Sequence, residues 1–499
     1  MSVLPQAPEA TPADAASLPA LSLGWALAPI GLLVMLLVAA LWLFGDGAIG
    51  GPVQLCLILA GCAAAAVGVA GGVRWAQLET AVAQTMARAA MPMMILLAIG
   101  SLIGVWMAAG IIPTLIVYGS QVLDPAYFYL ATLLISAVVA VVVGSSWTTA
   151  GTVGIALMGV AVASELSLPM TAGAIISGVY FGDKLSPLSD TTNLAAALAG
   201  TPLFRHVRYL LWTTVPALGV AIVFFTGASV LGAGQADADG LAALTQALQS
   251  NYAISLWLLL PFIALFAMAY ARVPALVAIL ASVLIGAVFG VLLQGAGEAG
   301  LPGALKDYWA AAATGYTAQT GSEVADDLLS RGGMESMLTT LWLIIAAMFF
   351  GGMMERSGCM ARLLAAVLGW FRKKQSILYG VGATALLGNV VAGDQYVSLV
   401  VSSRMYAEEV QRRGLRPETL SRTSEDFGTV TSVLVPWNTC GAFMAATLGV
   451  ATWAYLPFCI FNLASPVISA WYIATGRSLR WQTPTAAPAA PGASSAQAA

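Results

Sequence analysis

The chain has 499 residues, 59% of them hydrophobic and only 9% charged, with a mean hydropathy of +0.87. Soluble domains carry roughly 25% charged residues, so this composition excludes a soluble enzyme or binding module and points to an all-α polytopic membrane protein. The net charge of −3 offers no basic surface for nucleic acid, and the five cysteines have no CxxC spacing that would suggest a thiolate metal or redox site.

In chain order, residues 1–23 are rich in Ala and Pro and contain no Lys or Arg. They are expected to form a disordered tail rather than a cleavable signal, which needs a basic start. Apolar stretches of about 18–25 residues are long enough to span a bilayer. They are expected near 24–44, 52–73, 90–111, 126–144, 147–163, 168–200, 207–232, 252–270, 273–295, 335–355, 375–393, 395–410, 424–449 and 452–476, about fourteen spans in all. The pieces 112–120 and 359–371 are too short to cross, and 301–331 reads as an extramembrane or interfacial linker. The grouping is peripheral spans over 24–89, a first transport unit over 90–232, connecting spans and linker over 233–334, and a second transport unit over 335–476. A second disordered tail follows over 477–499.

Basic loop residues cluster at Arg205/Arg208, Arg372/Lys373/Lys374, Arg412/Arg413/Arg416 and Arg477/Arg480. With the spans above they share one face, which the positive-inside rule assigns to the cytoplasm together with both termini. Laid on itself at an offset of about 247 residues, the chain sets GVWMAAG (104–110) opposite GMMERSG (352–358). The stretch ending GSSWTT (144–149) then meets the one ending GNVVAGD (388–394), and Phe181-Gly182 meets Phe427-Gly428. Loops 372–374 and 411–416 are basic, while their counterparts near 121–125 and 164–167 are not. Opposite charge at equivalent loops predicts two inverted-topology repeats with broken helices at the midplane, as in many secondary transporters. Nothing matches GxxxxGK[ST], which argues against pumping driven by a nucleotide.

The chemistry concentrates at the breaks. Residues 181–193 read FGDKLSPLSDTTN inside an apolar stretch. Pro187 removes a backbone donor and clashes with a continuing helix, so the helix opens here and exposes carbonyls. Ionisable groups at membrane depth are costly and therefore functional candidates, which singles out Asp183 and Asp190 as ion- and proton-binding carboxylates, with Na+ at one of the two. Lys184 is expected to pair with one of these acids. Ser186, Ser189, Thr191, Thr192, Asn193 and, from the neighbouring GSSWTT run, Thr148 supply neutral oxygens. The second break, SEDFGTVTSVLVPWNT (424–439), offers Thr429, Thr431, Ser432, Asn438 and Thr439 in the same way. Glu425 and Asp426 precede it and are expected nearer an aqueous entrance, as carboxylates at a helix start. Asp394 is the strongest lone acid of the second unit. Glu355 reads as an interfacial or paired residue, Arg404 as a snorkelling one, and His206, beside Arg205 and Arg208, as interfacial.

These stretches, with GVWMAAGIIPTLI (104–116), GDQY (393–396) and LSRTSEDFGTVTS (420–432), resemble the NhaC family of Na+/H+ antiporters over roughly residues 25–475. The resemblance implies a multi-pass carrier of the bacterial inner membrane that exchanges Na+, or Li+, for H+ without an organic cofactor and is not an enzyme. Its partners would be Na+, H+ and the lipid bilayer, and a homodimer is compatible with it. Some relatives in that family exchange malate for lactate with Na+ and H+, so a coupled organic-anion exchanger is the alternative. Val433 departs from the small residue or Pro of the family pattern and makes the second break less polar.

Overall fold

The computed structural model describes residues 21–44, 50–122, 127–164, 166–229, 238–271, 273–295, 300–371, 376–477, 479 and 481. Nearly all of the two expected tails, and the basic cluster Arg372/Lys373/Lys374, lie outside the described residues. Among the described residues all regular structure is helical, apart from one isolated bridge between Leu415 and Trp481. Six helices are long and apolar enough to cross a membrane, or eight if each of two sharply bent pairs, at 98° and 89°, counts as one span. The chain is therefore a multi-pass membrane protein.

The first helices are α1 (Leu23–Phe44), α2 (Pro52–Ala70), α3 (Trp75–Ala108), α4 (Ile111–Val122) and α5 (Phe128–Val143). After α6 (Ser146–Thr149) a π-helical turn, Ala150–Gly154, leads into α7 (Ile155–Ala163). Next come α8 (Leu168–Leu185), α9 (Asp190–Ala199) and α10 (Leu203–Ala228). The connecting part holds α11 (Ala238–Asn251), α12 (Leu260–Tyr270), α13 (Ala275–Gln294), α14 (Gly300–Ala313) and α15 (Glu323–Leu329). The last part holds α16 (Leu338–Arg356), α17 (Cys359–Trp370), α18 (Ile377–Val391), α19 (Gln395–Arg412), α20 (Pro417–Ser424), α21 (Thr439–Leu448), α22 (Thr452–Tyr455) and α23 (Ile460–Thr475).

The order of elements recurs. Gly144 and Gly393 (393 − 144) and Gly200 and Gly449 (449 − 200) are 249 residues apart, and all four have positive φ near 70°. The helix starts Ser146/Gln395, Leu168/Pro417 and Asp190/Thr439 keep the same separation. Short polar caps precede matching helices, with Ser145 opposite Asp394 and Ser189 opposite Asn438. The two pieces too apolar for a loop yet too short to span, α4 and α17, are twelve-residue helices in matching places. On this alignment Phe181 stands opposite Val430, three residues from the expected Phe427. A π-helical turn at Glu425–Thr429 breaks the regular register there, so local identity was a poor guide.

Close helix contacts rest on glycine. Gly178 and Gly182 of α8 bring its backbone against α5, where a Cβ on Gly178 would lie 2.7 Å from that of Ser136. The expected linker is not loose. Its helix α14 packs on α3, where Ser101 donates to the Ala312 carbonyl (3.0 Å), and just past the linker the Gly333 N–H donates to the Gly100 carbonyl (2.7 Å).

Candidate functional site

The first break is capped on both sides by its own polar residues. Ser189 caps α9 by accepting from the Thr192 N–H (3.4 Å), and its hydroxyl meets that of Thr191 (3.1 Å). Asn193 donates to the Ser189 and Pro187 carbonyls (2.7 and 2.9 Å), and Thr192 to the Lys184 carbonyl (3.2 Å). Ser186 accepts from the Leu188 N–H (3.3 Å). Most of the expected neutral ligands thus hold the break open by satisfying backbone that no helix pairs.

Asp183 lies in the last turn of α8 and is 5% exposed. Ser146 at the start of α6 donates its hydroxyl to Asp183 Oδ2 (2.8 Å), and the Ser146 amide and Ser189 hydroxyl also face the carboxylate. The acid sits where the N-terminus of a helix favours negative charge. Asp190 is exposed and lines a cavity of about 450 Å³ together with Ser145, Thr148 and Asn193. Ser145 and Thr148 share a hydrogen bond (3.1 Å), and Ser146 next to them holds Asp183. The cavity is therefore lined by Ser145, the chain neighbour of the Ser146 that bonds the buried acid.

Asp394 caps α19, accepting from the Tyr396 and Val397 amides (2.9 and 3.0 Å) and, at its other oxygen, from Thr439 (3.3 Å). Tyr396, whose amide donates to Asp394, lies within electrostatic range of Asp183 and Asp190 as well. The sequence reading did not single out this tyrosine, although it follows the cap by two residues.

At the second break, Thr431 donates to the Phe427 carbonyl (2.6 Å) and accepts from Asn389 (3.0 Å). Ser432 donates to the Thr429 carbonyl (2.7 Å), and Asn438 caps α21 at Cys440 (3.0 Å) while donating to the Asn389 carbonyl (3.2 Å). These groups close the break. The Thr429 hydroxyl and both oxygens of Glu425 are buried and meet no hydrogen-bond partner among the described residues.

Expectations for Lys184, Glu425, Asp426 and His206 need correction. Lys184 pairs with Asp426 and donates to Ser465 (3.1 Å), not to Asp183 or Asp190. Adjacent helical side chains do not face each other, so Lys184 turns away from Asp183. Glu425 and Asp426 are fully buried rather than near an entrance, because the π-helical turn carrying them packs inside the bundle. Asp426 also accepts from Thr213 (2.9 Å) and Ser465 (3.3 Å). His206 is fully buried as well, with Nδ1 2.8 Å from the Ser421 hydroxyl. It belongs to one face of α10 that runs along α20 and the π turn, meeting Glu418 from Arg205 (3.6 Å), Thr419 from Tyr209 (3.4 Å) and Asp426 from Thr213. Finally, Arg422 is a core cation that the sequence reading passed over. It is fully buried, with Nε 3.9 Å from Asp426 and its guanidinium 4.4 Å from the Tyr209 ring centre. Its position four residues before Asp426 was the available signal. Glu355 pairs with Arg88 at the surface (3.3 Å), as expected, and Arg404 is exposed.

The profile described as the Na+/H+ antiporter family matches residues 178–477. Among known proteins, the Na(+)/H(+) antiporter NhaC of Alkalihalophilus pseudofirmus is 34% identical over 420 residues, covering 84% of this chain and 88% of that one. The malate-2H(+)/Na(+)-lactate antiporter of Bacillus subtilis is 35% identical over 437 residues, covering 87% and 91%. The arginine/ornithine antiporter ArcD of Halobacterium salinarum is 33% identical over 428 residues, covering 84% and 85%.

Proposed function

The chain belongs to the Na+/H+ antiporter family and its activity is exchange of Na+ for H+; we propose that Asp183 is the carboxylate that holds the transported cation. The observation that carries this is a buried acid at a broken helix, ligated by Ser146 next to a cavity of about 450 Å³ lined by Ser145, Thr148 and Asp190. Asp190 draws the hydrated cation into the cavity. Backbone carbonyls freed by the break, with the Ser146 and Thr148 hydroxyls, then replace its water. Cation binding at Asp183 is coupled to proton release, so each ion weakens the hold on the other.

The carrier is further read as having about fourteen spans in two inverted repeats, in a bacterial inner membrane with both termini cytoplasmic and with Li+ as a second substrate. A homodimer fits this reading. Support comes from the recurring caps at a separation of 249 residues and from the opposite charge of equivalent loops. The second reading, a Na+/H+-coupled exchanger of organic anions, is favoured by the two buried cations Lys184 and Arg422. Both are engaged with Asp426, which leaves the acid-lined cavity as the better fit to a cation. Proton flux in everted vesicles, with Na+, Li+, K+, malate and lactate added in turn, tests the choice. Flux driven by malate or lactate and not by Na+ alone would replace the first reading with the second.

A further inference from the structure

We propose that Glu425 is a dedicated proton-binding site, separate from the cation carboxylate Asp183 and linked to it by charge balance. The inference rests on the Na+/H+ exchange assigned above. Glu425 opens the π-helical turn Glu425–Thr429, in which the Val430 N–H reaches back to the Glu425 carbonyl (3.3 Å). Such turns frequently interrupt regular helices at functional sites.

The two adjacent acids of this turn have opposite surroundings. Asp426 accepts from Lys184, Thr213 and Ser465, with Arg422 at 3.9 Å. Glu425 is fully buried, and neither of its oxygens has a hydrogen-bond donor among the described residues. An ionised carboxylate without donors in a dry interior is far costlier than the neutral acid. The charges acting on Glu425 are Lys184, Asp183 and Asp426, together with Arg422 on the preceding turn. No hydrogen bond joins Glu425 to Asp183. Of the other elements packed on the turn, α9 brings Asp190, exposed in its cavity. From α18 and α23 come only the phenols of Tyr379 and Tyr472. The charges of α19, from Arg404 to Arg412, lie at the surface or in surface pairs, and Glu418 of α20 is paired with Arg205.

With Glu425 protonated, the four charges that act on it balance, Lys184 and Arg422 against Asp183 and Asp426. A Na+ arriving at Asp183 adds one positive charge. Breaking the Glu425 O–H bond, with the proton passing to water, restores the balance. One cation thus expels one proton without sharing a ligand with it, and the reverse step returns the proton as Na+ leaves.

The test uses the purified full-length chain in detergent, with NaCl as the probe. The infrared band of a protonated carboxyl should be present in the wild type at neutral pH, weaken on Na+ addition and be missing in Glu425→Gln. Wild-type protein should release about one proton per Na+ bound, read with a dye in weak buffer. Glu425→Gln should still be stabilised by Na+ against heat while releasing at least about tenfold fewer protons. An unchanged band in Glu425→Gln, or wild-type proton release from it, overturns the proposal. So does loss of Na+ stabilisation in the folded variant, which would make Glu425 a cation ligand. If Glu425→Gln does not fold, a shift of the band in Glu425→Asp decides the same point, and no shift overturns the proposal. Wild type that shows the Glu425 band but neither binds Na+ nor releases protons keeps the proton site and sinks the exchange reading instead.

Discussion

Lys184 and Asp426, 242 residues apart in the chain, form a fully buried ion pair that ties the first transport unit to the second. Thr213 and Ser465 hold the same Asp426 oxygen, so one carboxylate gathers α8, α10, α23 and the π-helical turn.

Removing one partner of a buried pair strands the other charge and costs roughly 3–5 kcal/mol, whereas replacing both with apolar groups can be near neutral. Lys184→Met is therefore expected to lower the thermal unfolding midpoint in detergent sharply, and Lys184→Met combined with Asp426→Leu to regain most of the loss. A double variant no more stable than the single one would show that the pair is not the main tie.

The two acids of the first break should separate in transport. Asp183→Asn is expected to abolish Na+-driven proton movement in everted vesicles while leaving expression intact. Asp190→Asn, exposed at the cavity, should raise the Na+ concentration for half-maximal exchange several-fold, less so at high ionic strength, where exposed charges are screened. Wild-type rates in Asp183→Asn would move the cation site to Asp394.

Competition of Na+ with H+ sets a pH dependence. As pH falls, protons fill the carboxylates that balance the cation, so apparent Na+ affinity should weaken by up to about tenfold per pH unit. The measurement is half-maximal exchange between about pH 6 and pH 9. A constant half-saturation with only the maximal rate changing would argue for uncoupled sites.

Opposite orientation of the repeats is open to labelling at equivalent loops. In a background with the exposed Cys62 replaced, Ser167→Cys should react with an impermeant thiol reagent from outside the cell, and Arg412→Cys only from inside. Labelling of both from one face would end the inverted arrangement.

Asp326 lies in the connecting part, outside the spans. It accepts from the Thr320 amide (2.6 Å) and hydroxyl (2.7 Å), and these bonds hold its carboxyl below the usual carboxylate range. A lowered value means the bonds stabilise the loop above the ordinary carboxylate range and are lost as pH falls through the folded value. Limited proteolysis of the 316–331 segment should therefore quicken at acid pH, and Asp326→Asn should quicken it already at neutral pH. Equal cleavage of the two proteins at neutral pH would remove this role.

What could be read from the sequence was local. Pro187 and Pro436 mark the breaks, and Asp183 stands out because a charge among apolar residues is visible without a fold. The partners of those residues were not legible. Lys184 reaches Asp426 only through the packing of α8 on the second unit, and Asp183 beside it in sequence was the misleading neighbour. His206 stands between Arg205 and Arg208 in the chain, although positions 206, 209 and 213 trace the face of α10 that meets α20 and the π-helical turn. Arg422 was hidden in a polar run whose small side chains, Ser421, Thr423 and Ser424, make it look exposed when all are buried.

The duplicated element order carries unequal chemistry, since at a separation of 249 residues Lys184 falls opposite Val433 and Asp394 opposite Ser145. Two identical halves related by a two-fold axis would make the inward-open and outward-open forms equal in energy. Here the ion pair to Asp426 has no counterpart at the equivalent position. In the inverted arrangement proposed above, the unloaded carrier is expected to have a preferred resting side, and the work of a transport cycle to be divided unevenly between its two reorientations.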